Sequence, residues 1–210
     1  MDKRFNPVFS IAAMFAITQI IGLAAGILLL TTASHDPNVQ YLSVSPIEDA
    51  NSPLNALFMI GYVLVGAGGA LLIMKYFRAK ILFRLLELCV VGATVSVLCF
   101  AFIFAFSGLD FFTALALSVL LGGAFALIKF QMPKLKNPAA ILSSAGVGAM
   151  FGFSLGFLPA LLFIVALAAY DYIAVFKTRH MLTLAQGLGA SELSFTITSA
   201  DQKAHHAPHG

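Results

Sequence analysis

Charge is scarce in this sequence: Asp, Glu, Lys and Arg together make up 10% of its 210 residues. A water-soluble domain carries about a quarter, and no soluble core absorbs the apolar surface that such a deficit leaves. Tryptophan is absent, and the two cysteines, Cys89 and Cys99, both lie in apolar stretches. That excludes a disulfide-rich secreted scaffold and leaves the thiols as small side chains of apolar segments. Missing too are a phosphate-cradling glycine loop, a zinc-ligand cluster, a serine–histidine constellation and any nucleic-acid motif. A net charge of +3 is only a weak hint of nucleic-acid binding, and here its distribution along the chain says more than its sum.

What is present is apolar. Hydrophobic residues make up 60% of the chain, with 20 Phe and 17 Gly, and the mean hydropathy is +0.95. Helices that face lipid and pack on one another through small residues have this composition. The order of apolar runs and polar breaks predicts an all-α, polytopic transmembrane helical bundle. Its six spans fall at about residues 8–31, 54–74, 81–106, 111–130, 138–153 and 158–176. The first follows Lys3 and Arg4 as a signal peptide would, but it outruns a normal h-region and no small-residue cleavage site follows it closely. It reads as a retained helix. The 38 residues from 139 to 176 carry no charge except Asp171; as one helix they would be about 57 Å long, nearly twice the hydrocarbon thickness. The run therefore turns back, at 152–159, where glycine, serine and proline loosen it.

Charge tests this division. All twelve Lys and Arg fall before the first span, near the second-to-third or fourth-to-fifth junction, or after the sixth span. The alternate connections hold Asp36, Glu48, Asp49 and Asp110 instead. Such segregation predicts a multi-pass protein of the cell membrane with both termini cytoplasmic. Residues 1–181 form the six-helix domain, and residues 182–210 a polar cytoplasmic tail. His205, His206 and His209 belong to that tail and are not read as a metal site.

Smaller expectations follow from the same pass. Residues 39–44 form a short strand or lie at the interface. Thr18 and Gln19 form an interhelical hydrogen bond. Gly66, Gly68 and Gly69, and the four-residue repeat Gly148, Gly152 and Gly156, support close helix packing. Glu87 pairs with Arg84 three residues earlier on an interfacial turn.

Asp171 is the residue most suited to chemistry. It stands six positions before Lys177, so about 9 Å inside the cytoplasmic end of its span. An ionised carboxylate there is unfavourable unless it is hydrated, paired or protonated, which makes it a functional-site candidate. The alternative is a structural acid paired with a lysine or hydroxyl of a neighbouring helix. Tyr170 and Tyr172 flank it, about 100° to either side on a helix.

The stretch from Ala169 through Tyr170-Asp171-Tyr172 to Lys177-Thr178-Arg179-His180-Met181 resembles the sixth helix and following loop of the presenilin and signal peptide peptidase family, most of all its archaeal branch. Phe15-Ala16-Ile17-Thr18-Gln19-Ile20-Ile21-Gly22-Leu23, Asn137–Gly146 and Phe151–Gly156 resemble the same branch. The resemblance implies a presenilin-like amino-terminal half of an intramembrane aspartyl protease. Asp171 matches one of its two catalytic carboxylates, with Tyr170, Tyr172 and Lys177 in support, and neither metal nor organic cofactor is required. Substrates would be transmembrane helices, in a lipid bilayer and without nucleic acid.

The departures are equally specific. Family members have nine helices, with the second aspartate in a Gly-x-Gly-Asp motif on helix seven and a Pro-Ala-Leu motif on helix nine. Here Gly187-Leu188-Gly189-Ala190 has alanine in place of the aspartate, and Pro159-Ala160-Leu161 falls at the start of the sixth span. Of the other acids, Asp110 belongs to the opposite membrane face and Glu87 is the nearest substitute. The expectation is an incomplete protease, inactive alone, whose partner is a complementary chain carrying helices seven to nine. The alternative is a non-catalytic membrane scaffold or small transporter that keeps the fold.

Overall fold

A computed structural model of the chain describes residues 5–76, 80–173 and 176. These residues contain six α-helices: α1 Phe5–Ala33, α2 Pro53–Tyr76, α3 Lys80–Ser107, α4 Phe111–Gln131, α5 Lys136–Ser154 and α6 Phe157–Tyr172. Runs rich in Ala and Leu favour helix, and in hydrocarbon a helix satisfies its own backbone groups. Pro7, Pro53, Pro138 and Pro159 all lie in the first turn of a helix, where their missing N–H groups break no helical hydrogen bond. Val8–Ala33, Arg84–Ser107 and Phe111–Gln131 are long and apolar enough to cross a membrane, and Pro53–Gly69 and Phe157–Tyr172 are shorter apolar helices. The chain is a multi-helix membrane protein.

Packing divides the helices into two groups. α3 lies against α4 and α5, and α1 against α5 and α3, whereas α6 packs mainly on α2. The larger core is built on Leu29, Leu98, Phe100 and Phe111. In it Phe100 stacks on Phe104 at 5.1 Å and meets Phe111 edge-on at 5.6 Å. The smaller core joins Ala56 and Met59 of α2 to Leu155 and to Phe163 of α6.

The long polar connection between α1 and α2 is a built element. Residues 37–42 form a 3-10 helix, not a strand: Asp36 accepts from the Asn38 N–H at 2.9 Å and Pro37 starts the turn. Farther on, the Val44 N–H donates to Ser154 Oγ at 2.9 Å, and the Gly156 N–H to the Ala50 carbonyl at 2.8 Å. Asn55, fully buried, accepts from the Ile47 N–H and donates to the Asp49 carbonyl. These bonds hold the connection over the α5–α6 turn at Leu155 and Gly156.

The glycines that admit close packing differ from those expected. Among the described residues nothing lies within 4 Å of a Cβ placed at Gly66, Gly68, Gly69, Gly148 or Gly152, and Gly156 packs on the Ala50–Asn51 backbone and side chain at the turn. Close helix approach falls instead to Gly22 against Ala145, Gly122 against Gly92 and Ser96, and Gly146 against Thr94. A Cβ at 146 would collide with the Thr94 carbonyl, which is backbone and cannot swing away. Gly146→Ala should therefore destabilise the bundle by roughly 2 kcal/mol, as overpacking does. Gly148→Ala should leave it within about 0.5 kcal/mol. Thermal unfolding of both variants in detergent checks the contrast; equal midpoints would mean that α3 and α5 are not in this contact.

α3 and α4 are joined by a tight turn in which Gly108 has φ +65°, a left-handed conformation that glycine adopts without strain. Asp110 caps α4, accepting from the Thr113 N–H at 3.1 Å. Hydrogen bonds from Thr113 hold its carboxyl below the usual carboxylate range. Because the folded pKa is depressed, this contribution is fully present above the unfolded value of about 3.9 and is lost as pH falls through the folded one. A melting-temperature titration should show this acid component in the native chain and not in Asp110→Asn, which keeps a good cap without a titrating group.

Candidate active site

Asp171 occupies the last turn of α6, and its side chain is exposed. Leu161, Ile164, Ala168 and Asp171 follow one another at spacings of three and four, and all four are exposed. The carboxylate thus continues an exposed apolar face of α6, while Phe163 and Leu167 turn inward toward α2. Phe163 also stacks on Phe151 of α5 at 5.4 Å, which fixes the rotation of α6 about its axis. Asp171 makes no hydrogen bond or ion pair among the described residues.

Tyr170 is half-buried, and Tyr172 is exposed with its ring centroid 4.9 Å from that of Phe176. The two tyrosines therefore differ in environment, as their positions about the helix require. Lys177 lies outside the described residues, as do Gly187–Ala190 and the three tail histidines.

Glu87 has a partner on another helix that its sequence neighbourhood does not suggest. It is buried on α3 and accepts from the Lys129 ammonium of α4, the two side chains being 5% and 10% exposed. Arg84 is exposed, its guanidinium 6.0 Å from the centre of the Phe130 ring. Glu87 is thereby committed to the α3–α4 interface, whereas Asp171 is carried by α6 on α2. That arrangement disfavours Glu87 as a second acid.

Two polar contacts also differ from expectation. Thr18 Oγ1 donates to the Met14 carbonyl of its own helix at 2.9 Å, and Gln19 is exposed with no hydrogen bond among the described residues. The interhelical hydroxyl pair is instead Thr94 of α3 with Ser143 of α5, at 2.9 Å. A threonine within an apolar helix commonly bonds back to the carbonyl four residues earlier, so its presence does not foretell a cross-helix bond.

No curated protein and no solved structure matches the chain. The profile of the family described as signal-peptide peptidase, presenilin aspartyl protease matches residues 11–205. The match begins within α1 and takes in the other five helices whole, including the α6 turn that carries Asp171. With nearly its whole length in register on a membrane helical bundle, this chain belongs to the signal-peptide peptidase and presenilin aspartyl protease family.

Proposed function

We propose that the chain is the amino-terminal, six-helix portion of an intramembrane aspartyl protease, with Asp171 as one of its two catalytic carboxylates. The observation that carries this reading is an exposed carboxylate, without a hydrogen bond or ion pair among the described residues, at the end of an otherwise apolar, exposed face of α6. A buried charge with a structural task has a partner; a charge kept for chemistry awaits one.

Two carboxylates divide the work of amide hydrolysis. The ionised one takes a proton from water as its oxygen bonds to the peptide carbonyl carbon. The protonated one donates to the carbonyl oxygen as negative charge gathers there. Collapse of the tetrahedral adduct breaks the C–N bond and delivers a proton to the departing amine. Tyr170, Tyr172 and Lys177 are the supporting residues of the site in this reading. The substrate is a transmembrane helix, locally unwound so that its carbonyl is accessible. The second aspartate comes from a complementary chain or segment carrying helices seven to nine, since the 210 residues hold no Gly-x-Gly-Asp.

In this reading all six helices cross the bilayer and both termini are cytoplasmic. Cysteines introduced at Ser43 and Ser107 should then react with an impermeant reagent from outside, and those at Lys134 and Lys203 only from inside. Exterior labelling at Lys203 contradicts the topology. For the function, the chain alone should cleave no labelled transmembrane helix, and addition of helices seven to nine of an intact family member should restore cleavage. Persistent inactivity of a correctly assembled mixture would favour the alternative, a non-catalytic scaffold or small transporter.

A further inference from the structure

One end of the α3, α4 and α5 cluster carries positive charge that its neighbours do not neutralise. The apolar stretches Arg84–Ser107 and Phe111–Gln131 put Arg84 and Gln131 at the same end of the bundle. Lys134 and Lys136 follow in the α4–α5 connection. These side chains therefore stand where hydrocarbon gives way to headgroups. Arg84 and Lys134 are exposed and Lys136 is half-buried, and none of the three makes a hydrogen bond or ion pair among the described residues. The sequence puts no acid beside them. Segment 75–86 has Lys75, Arg78, Lys80 and Arg84, segment 129–138 has Lys129, Lys134 and Lys136, and neither has Asp or Glu. Glu87, the next acid along α3, is withdrawn into the α3–α4 interface with Lys129.

Two features distinguish this corner from diffuse surface charge. The Arg84 guanidinium lies 6.0 Å from the centre of the Phe130 ring. The ring holds it at the α3–α4 surface, so its planar fork loses less freedom on taking up a phosphate. Beside it the outer face of α4 is apolar: Leu120, Ala124 and Leu127 are exposed at spacings of four and three, and the exposed Phe130 continues them. A phosphate at the corner with an acyl chain along that face satisfies both features at once. α4 packs on α3 and only lightly on α5, whereas Asp171 is carried by α6 on α2. The corner is thus not where a second aspartate would meet the first.

We infer that the corner formed by Arg84, Phe130, Lys134 and Lys136 binds an anionic phospholipid, its phosphate held by Arg84 and one acyl chain lying along α4. A guanidinium donates two parallel hydrogen bonds to a phosphate, and the two ammonium groups add attraction as point charges. Basic clusters flanking membrane helices select anionic lipids in this way. A zwitterionic headgroup brings its own cation next to the phosphate, and a free phosphate brings no chain for α4, so both are poorer ligands. In the topology proposed above the lipid belongs to the cytoplasmic leaflet. The inference needs no catalytic role for Asp171.

Titration of the full chain in mixed micelles of detergent and phosphatidylcholine tests it, with bound lipid read by native mass spectrometry. Added phosphatidylglycerol should bind in preference to phosphatidylcholine, and less tightly as salt rises. Arg84→Gln combined with Lys134→Gln should weaken that binding roughly twenty-five-fold, about fivefold for each cation. Phe130→Leu, which leaves the charges in place, should weaken it roughly two- to fivefold. Lys3→Gln combined with Lys203→Gln removes the same net charge elsewhere and should bind like the native chain. Circular dichroism and melting temperature in phosphatidylcholine alone show whether each variant is folded. If the Arg84 and Lys134 pair of changes fails that check, Lys134→Gln alone decides, with its own loss of about fivefold. Equal affinity for the two lipids overturns the proposal, and so does a folded Arg84 and Lys134 variant that binds like the native chain. An equal loss in the Lys3 and Lys203 variant means that net charge alone attracts the lipid, which also overturns it. Displacement of phosphatidylglycerol by inorganic phosphate at matching concentration assigns the corner to the free anion, with the same effect.

Discussion

Glu87→Leu should lower the stability of the bundle by about 3 kcal/mol, and Lys129→Leu added to it should recover most of that loss. Both side chains are nearly withdrawn from solvent at the α3–α4 interface. Removing one member of a buried pair leaves the other charge in a medium that solvates it poorly, an effect of about 3–5 kcal/mol. The lower end applies here, because a lysine near the end of a helix can extend its ammonium toward the interface. Removing both members exchanges Coulomb attraction for apolar packing and is often neutral. Unfolding of the native chain, both single variants and the double variant in mixed micelles gives the coupling directly. Additive losses would mean that Glu87 and Lys129 are not paired.

Asp171→Asn should have almost the opposite profile. It leaves stability unchanged or slightly raised, because an exposed carboxylate without a partner among the described residues contributes nothing favourable that the amide lacks. Cleavage by the assembly with helices seven to nine should nevertheless fall by roughly three orders of magnitude or more. One carboxylate cannot be the ionised base and the protonated donor at once, and general acid–base catalysis alone is worth about 10²–10⁴-fold. A loss of only a few-fold would point to positioning instead of chemistry. Melting temperature and initial rate, measured on the same preparations, separate the two effects.

The positions of the helices were legible in the sequence because each depends on short-range features. Apolar runs have a length set by the hydrocarbon, and Pro53, Pro138 and Pro159 mark first turns whose N–H groups are unpaired in any case. The turn at Leu155 and Gly156 followed from a length that no single span permits. Asp171 stands out in the sequence for a related reason, since a charge in an apolar run is conspicuous wherever it occurs; the catalytic role given to it is a proposal.

Contacts between helices were not legible in the same way. Local spacing pairs Glu87 with Arg84, because residues three apart share a helix face. Nothing local reveals that Lys129, 42 residues away, arrives at the same height on α4. The four-residue repeat of Gly148 and Gly152 identifies a face without telling what it meets, and among the described residues Gly146 takes the close contact instead. Residues 37–42 contain β-favouring Val39 and Tyr41, yet Asp36 and Pro37 impose a capped 3-10 turn. In each case the rotation of a helix or the capping of a turn decided the outcome, not the composition of the segment.

The most direct measurement is the cleavage of one labelled transmembrane helix by four purified preparations: the chain, its Asp171→Asn variant, and each combined with helices seven to nine of an intact family member. Product is expected in one of them alone, the native chain with its complement. Cleavage by the native chain by itself, lost in the asparagine variant, would contradict its incompleteness and require a second acid within these 210 residues. Restored cleavage that persists with asparagine at 171 would contradict the catalytic role of Asp171.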